Sequence, residues 1–269
     1  MNGHCIIFSV ADIVFQIQVE NFDLFKKIKN EYRKENLNTA KIQYVILITE
    51  EKNRKELLWR ESKNKIVINY LNKKLSLKYI HLTIKFLVSY LCLKHKVLLM
   101  HGSSNYFGSR GFIYCGPSGS GKSTIIKEYP HAILADDVVV LKRGSKNWLI
   151  YTTPFDNKKQ DHLSQQTKTL DTIYFLHQSE KNHRSIIANE IAIKNLLKNN
   201  WLYLYFHPRG VNKATNIQIK TYNFFRGDKP FSSVIYTPLF SLIDRLSKDT
   251  KCYNLYSTKD HPLKLSLKL

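Results

Sequence analysis

One stretch constrains this chain more than any other: Gly116-Pro117-Ser118-Gly119-Ser120-Gly121-Lys122-Ser123-Thr124. It fits the pattern G-x-x-x-x-G-K-[ST], and its flanks supply the strand–loop–helix context that the pattern needs. Phe112-Ile113-Tyr114-Cys115 reads as a short buried strand entering the stretch. Thr124-Ile125-Ile126-Lys127-Glu128-Tyr129 reads as a helix leaving it, stopped by Pro130. Glycines let the backbone fold round an anion so that successive N–H groups point inward, and the start of the helix adds unpaired donors. In this reading Lys122 reaches the β- and γ-phosphates of a nucleotide and the Ser123 hydroxyl ligates Mg²⁺.

Two carboxylates follow soon after. The apolar run from Ala132 to Leu141 carries Asp136 and Asp137 in its middle, the first of them 14 residues beyond Lys122. Adjacent carboxylates in a buried strand are costly unless a cation or a proton settles them. Neighbouring strand residues point to opposite faces, so a local bend is needed to bring both to one site. One Asp on the metal and the other on an acceptor hydroxyl would satisfy both. A structural pair capping a turn is the alternative reading.

Ahead of the loop, Val97-Leu98-Leu99-Met100 is a buried strand that reaches His101 and runs on through Asn105. Gly108-Ser109-Arg110-Gly111 is a turn back into Phe112. A hairpin in front of a phosphate loop is not the usual parallel βαβ arrangement. Beyond the carboxylates, Gly144 to Asn147 turns the chain into a strand over Trp148 to Thr152. A polar loop from Thr152 to Gln166, with Asp156, Lys158, Lys159, His162 and Ser164, reads as a lid or substrate loop. A strand over Thr172 to His177, a helix over Ala188 to Asn200 with Ile191, Leu196 and Leu197 inward, a helix around Pro238 to Ile243 and a strand over Cys252 to Tyr256 complete this part.

Residues 1 to 76 read as a small α+β module and residues 77 to 269 as one catalytic domain. In the module, strands are expected over Phe15 to Val19, Ile42 to Ile48 and Lys65 to Leu71, with Asn21 or Asp23 capping a short helix. The charged segment from 50 to 64 is expected to be solvated. No catalytic spacing occurs in the module, which reads as scaffold or partner contact. From Ser76 to Leu93, Ile80, Ile84, Leu87 and Leu91 share one helical face and Phe86, Tyr90 and Leu93 another, so this helix should be largely buried. His81 and His95 on or near it read as incidental.

The formal charge of +21 invites a nucleic-acid partner, but most of the 42 cationic residues are Lys scattered through every segment, without a block of like charge. A nucleotide-dependent nucleic-acid-binding protein is therefore the rival class, disfavoured by the lack of Arg and aromatic clustering. Cys5, Cys92, Cys115 and Cys252 stand far apart in no metal-type spacing, which points to a reducing, cytoplasmic setting. The N-terminal apolar patch Cys5-Ile6-Ile7-Phe8 lacks a basic lead-in and is not read as a signal peptide. The run from Phe86 to Leu93 is too short to span a bilayer.

The loop alone matches transporter ATPases, but their Leu-Ser-Gly-Gly-Gln helix is absent and the Asp-bearing strand comes too early. Three ordered motifs instead resemble the catalytic domain of HPr kinase/phosphorylase and its HPr-kinase-like relatives, related in fold to phosphoenolpyruvate carboxykinase. His101-Gly102 stands fifteen residues ahead of Gly116, and Ala135-Asp136-Asp137 and Thr153-Pro154 follow in order. The resemblance covers residues 97 to 155 well and the rest in general layout. It implies an α/β P-loop kinase domain, with ATP and Mg²⁺ as cofactors, that phosphorylates a Ser or Thr hydroxyl of a peptide or protein. A small hydroxylated molecule is the alternative acceptor, and a basic surface suits an acidic one; a homo-oligomer is compatible. Carried over, Lys122 holds the phosphates, Ser123 and Asp137 hold the metal, Asp136 is the general base and His101 sits beside the Asp136 carboxylate. The Asp roles are exchangeable on spacing alone. The family's Pro-Gly-Arg signature is missing, which argues against HPr itself. Glu180 and Glu190 are weak candidates for a further acidic ligand, and Arg143, Arg184 and Arg209 for charge stabilisation.

Overall fold

A computed structural model describes residues 4–30, 32, 41–50, 58–70, 77–128, 130–155, 166–206 and 231–258. Its elements form two sheets. The first begins with a hairpin of β1 (His4–Val10) and β2 (Ile13–Val19), in register with Phe8 opposite Phe15. Ala11 and Asp12 both take positive φ, the backbone of a primed two-residue turn whose twist suits the strands. The patch Cys5 to Phe8 is thus half of a hairpin that its apolar residues alone did not reveal. The helix α1 (Phe22–Lys29) is capped by Asn21, whose Oδ1 accepts from Leu24 N at 2.9 Å.

β3 (Tyr44–Glu50) lies parallel to β2, and β5 (Lys65–Tyr70) parallel to β3. β4 (Leu58–Ser62) pairs antiparallel with β5 and ends the order β1-β2-β3-β5-β4. The charged stretch expected to be solvated therefore contains an edge strand. Among the described residues β4 pairs with β5 alone, and charge in the sequence is what such an edge tolerates.

The long helix α2 (Leu77–Lys94) joins this sheet to the second one. Ile80, Ile84, Phe86, Leu87 and Leu91 are all buried, as expected of a helix apolar round most of its circumference. One continuous core runs from Phe8, Ile17 and Ile46 through these residues to Leu99, Val139 and Ile150. Burial of this kind, at about 25 cal/mol per Å² of apolar surface, is the main force holding the two sheets together.

The second sheet contains β6 (Val97–Phe107), β7 (Arg110–Cys115), β8 (Ile133–Arg143), β9 (Trp148–Tyr151), β10 (Thr167–Gln178), β11 (His183–Ile186) and β12 (Lys251–Ser257). Their order is β11-β12-β10-β7-β6-β8-β9. β9 also pairs with the start of β10, Tyr151 opposite Thr167, so β10, β7, β6, β8 and β9 close a ring. β6 and β7 are the expected antiparallel hairpin, and β7 then lies parallel to β10. The helices are α3 (Lys122–Lys127), α4 (Asn189–Lys198), α5 (Trp201–Phe206) and α6 (Phe231–Asp249). On α4 the buried positions are Ala192 and Leu196, whereas Ile191, expected inward, is 49% exposed. The chain is a mixed α/β protein. Among the described residues no helix is long and apolar enough to cross a membrane.

Candidate functional site

β7 delivers the glycine-rich stretch and α3 carries it away. Gly121 precedes α3 with φ 95°, a left-handed conformation that costs a residue with a side chain dearly, and no side chain caps the helix. Lys122 folds its ammonium back over the loop, donating to the carbonyls of Gly116 and Pro117 at 2.8 Å each. Burial lowers its pKa, against the opposing pull of Cys115, Asp137 and Asp136. From the end of β10, Gln178 Nε2 donates to Gly119 O at 3.0 Å and pins the loop's outer turn. Between them lies a cavity of about 260 Å³ walled by Ser120, Gly121, Thr124, Gln178, Ser257 and Thr258. Its lining is hydroxyl, amide and backbone, which suits a polar phosphate-and-sugar ligand. Pro117, Ser118 and Gly119 are exposed.

Ser123 Oγ donates to Asp136 Oδ1 at 2.7 Å, and Ser103 Oγ donates to the same oxygen at 2.9 Å. Ser103 is the register partner of Asp136 across β6 and β8, so the ladder itself sets this contact. Alternation would put His101, Ser103 and Asp136 on one face and Asp137 on the other. Asp137 instead has φ 122°, strained for a residue with a side chain, and its carboxylate comes round toward β6. His101 Nδ1 lies 3.2 Å from Asp137 Oδ1, an ion-pair distance without the alignment of a hydrogen bond. The anticipated bend thus exists, but the pairing is the reverse of that expected: His101 meets Asp137, while Asp136 belongs to the loop serine. Gly102, register partner of Asp137, has a physical reason to be glycine, because a Cβ there would come within 2.8 Å of Tyr114 O on β7.

A residue that the sequence reading passed over completes this cluster. Lys85 Nζ on α2 donates to Asp137 Oδ2 at 2.7 Å. Burial alone would raise the Asp137 pKa, but His101 and Lys85 outweigh it and hold the carboxyl at about 2. Lys85 also lies over the Trp201 ring at 5.0 Å, and Trp201 meets His101 edge-on at 5.7 Å. Asn200 places that indole. Its Oδ1 accepts from Leu202 N at 3.0 Å and starts α5, its Nδ2 donates to Leu99 O at 3.1 Å, and the preceding Asn199 O accepts from His101 N at 2.6 Å. The available signal for Lys85 was a lone cation amid buried neighbours, Ile84 and Phe86. Trp201 carried no such signal.

No family model and no curated protein matches the chain. Among solved structures it is similar to the HPr(Ser) kinase/phosphatase from Coxiella burnetii, with 18% identity over 33% of this chain and 72% of that one, at a TM-score of 0.24. That is a distant structural likeness and nothing more.

Other expected residues are engaged elsewhere or lie outside the described residues. Arg143 pairs with Asp249 at 3.1 Å, and Arg184 stacks over Tyr253. Glu180 and Glu190 are exposed. His95 contacts Tyr44 Oη at 2.8 Å, whereas His81 faces a cavity next to Asp137. Arg209 and the loop residues Asp156, Lys158, Lys159, His162 and Ser164 are outside the described part. Cys92, Cys115 and Cys252 are buried free thiols, and burial pushes Cys115 up to about 12, which makes it a poor nucleophile.

Proposed function

We propose that the chain is an ATP- and Mg²⁺-dependent kinase of the HPr-kinase-like type, transferring the γ-phosphoryl group to a hydroxyl. In this reading residues 77 to 269 are the P-loop catalytic domain and residues 1 to 76 a small module beside it. One observation carries the proposal: the loop serine and a strand carboxylate meet at 2.7 Å, while a second carboxylate next in sequence turns away to His101 and Lys85. A loop that only held a nucleotide would not require the second arrangement.

The Ser123 hydroxyl and the Asp136 carboxylate are two hard oxygens held side by side by their hydrogen bond, a donor set that fits Mg²⁺. When bound there, Mg²⁺ would offset the charge of the β- and γ-phosphates. Lys122 would turn from the loop carbonyls to hold those phosphates, and Gly116 to Thr124 would cradle them. This exchanges the two Asp roles: Asp136 belongs to the metal side and Asp137 to the acceptor side. Asp137, ionised at neutral pH, accepts the hydrogen bond of the incoming hydroxyl, orients its oxygen and receives the proton late in transfer. His101 and Lys85 hold that carboxylate in place.

The test is to incubate wild type and Lys122→Ala with γ-labelled ATP and host lysate, then identify by mass spectrometry what gains phosphate. A product found with wild type alone supports the reading. Identical labelling with both, or none with wild type, contradicts it.

A further inference from the structure

We infer that the cavity beside Asp137 seats the acceptor, and that the acceptor is a compact hydroxyl compound with an aromatic or aliphatic body. The transfer step rests on the kinase reading above, whereas occupancy of the cavity does not. The cavity measures about 450 Å³, within the range of small-molecule sites. Asp137 and Lys85 bring charged groups to its lining, and Tyr32, Phe155 and Trp201 bring rings. Phe155 stands edge-on to Tyr32 at 5.8 Å, which fixes two of the three rings against each other. Leu77 and Leu82 of α2 add aliphatic surface, and His81 one more polar group. The walls come from both sides of the protein: Tyr32 follows α1 near the first sheet, while Asp137 belongs to the second.

Two features choose the occupant. Trp201 Nε1 is buried and has no hydrogen-bond partner among the described residues. An indole N–H can only donate, so an acceptor oxygen that reached it from the cavity its ring lines would relieve a standing cost. The second feature is how little else is polar. A peptide chain entering the cavity would bring one N–H and one C=O per residue, each needing a partner. The Tyr32 hydroxyl, His81, Lys85, Asp137 and Trp201 Nε1 are the side-chain polar groups on the described walls, and Lys85 and Asp137 already hold one another. A hydroxyl on an apolar body matches that inventory; a length of backbone does not.

In the step itself, the acceptor oxygen forms the new bond to the γ-phosphorus. The bond from that phosphorus to the β,γ-bridging oxygen breaks, its electron pair leaving on ADP. The hydroxyl proton passes to the Asp137 carboxylate. The products are ADP and a phosphate monoester, and no further reactant is needed.

Tyrosol and benzyl alcohol serve as probes, with binding to the full-length chain followed by saturation-transfer NMR. Leu82→Trp fills the cavity from α2, and Trp201→Phe keeps a ring but deletes the unpaired N–H; far-UV circular dichroism checks that both variants fold. Both alcohols should bind wild type, with affinity falling at least about tenfold in Leu82→Trp and severalfold in Trp201→Phe. Absence of binding to wild type, equal binding by wild type and both folded variants, or displacement of the alcohols by a Ser-containing peptide would each overturn the assignment. If the alcohols bind as expected but phosphorus NMR with Mg·ATP shows no phosphate ester, the kinase reading fails while the seat for a hydroxyl compound stands.

Discussion

Lys85 Nζ lies 2.7 Å from Asp137 Oδ2, a contact that ties helix α2 to strand β8 across 52 positions of sequence. It gives the strained Asp137 backbone a counterweight, because the ion pair and His101 hold the carboxylate where its positive φ directs it. The same lysine packs on Trp201, so one cation links the carboxylate to the wall of the neighbouring cavity.

This pairing predicts a pH signature. Asp137 titrates at about 2 in the folded protein against an ordinary 3.8, so the folded state favours its ionised form. The resulting stability is present in full above the ordinary value and is lost as pH falls from there toward 2. Lys85→Met should lower stability at neutral pH, and the gap to wild type should close as pH falls through this window. Urea unfolding at a series of pH values measures it; a gap that widens on acidification would contradict the assignment.

Gly102→Ala should destabilise the fold by about 1–3 kcal/mol, because its Cβ would press on a backbone oxygen that cannot rotate away. The strain falls between His101 and Ser103, so it should also disturb both carboxylate contacts. Denaturant unfolding gives the stability change, and nucleotide affinity the second effect.

The architecture near the loop was legible because its signals are local. Apolar runs, turn glycines and Pro130 delimit β6 to β9 and α3 within a few residues. Which face each carboxylate takes was not legible, since alternation predicts opposite faces and only the φ of Asp137 decides the outcome. Lys85 and Trp201 were missed for another reason: they lie 52 positions before and 64 after Asp137, and no local pattern announces a contact made through tertiary packing. β4 was missed because edge strands tolerate the charge that elsewhere marks a solvated loop.

Asn200→Ala removes the acceptor that starts α5 and leaves Leu99 O without its side-chain donor in a buried setting. A cost of about 1–3 kcal/mol is expected, comparable to losing a helix cap or a buried hydrogen bond. Because Trp201 follows directly, its fluorescence should shift as well. Unchanged emission would show that Asn200 does not place the indole.

Ser123→Ala deletes a hydrogen bond to a charged partner, worth about 1.5–3 kcal/mol where fully formed. If Ser123 and Asp136 hold Mg²⁺, calorimetric affinity for Mg·ATP should fall about tenfold or more while affinity for metal-free ATP changes little. Equal losses with and without metal would place the serine on the phosphates alone.

In the proposed mechanism Asp136 serves the nucleotide side and Asp137 the acceptor side, and this division of roles is the point on which the rest depends. It is tested most directly by measuring phosphate transfer from γ-labelled ATP together with Mg·ATP affinity, for wild type and Asp137→Asn. Transfer should fall by about 10²–10⁴-fold, the usual weight of a positioned acid–base group, with the Mg·ATP dissociation constant nearly unchanged. Undiminished transfer by Asp137→Asn, or a loss explained wholly by weaker Mg·ATP binding, would contradict it.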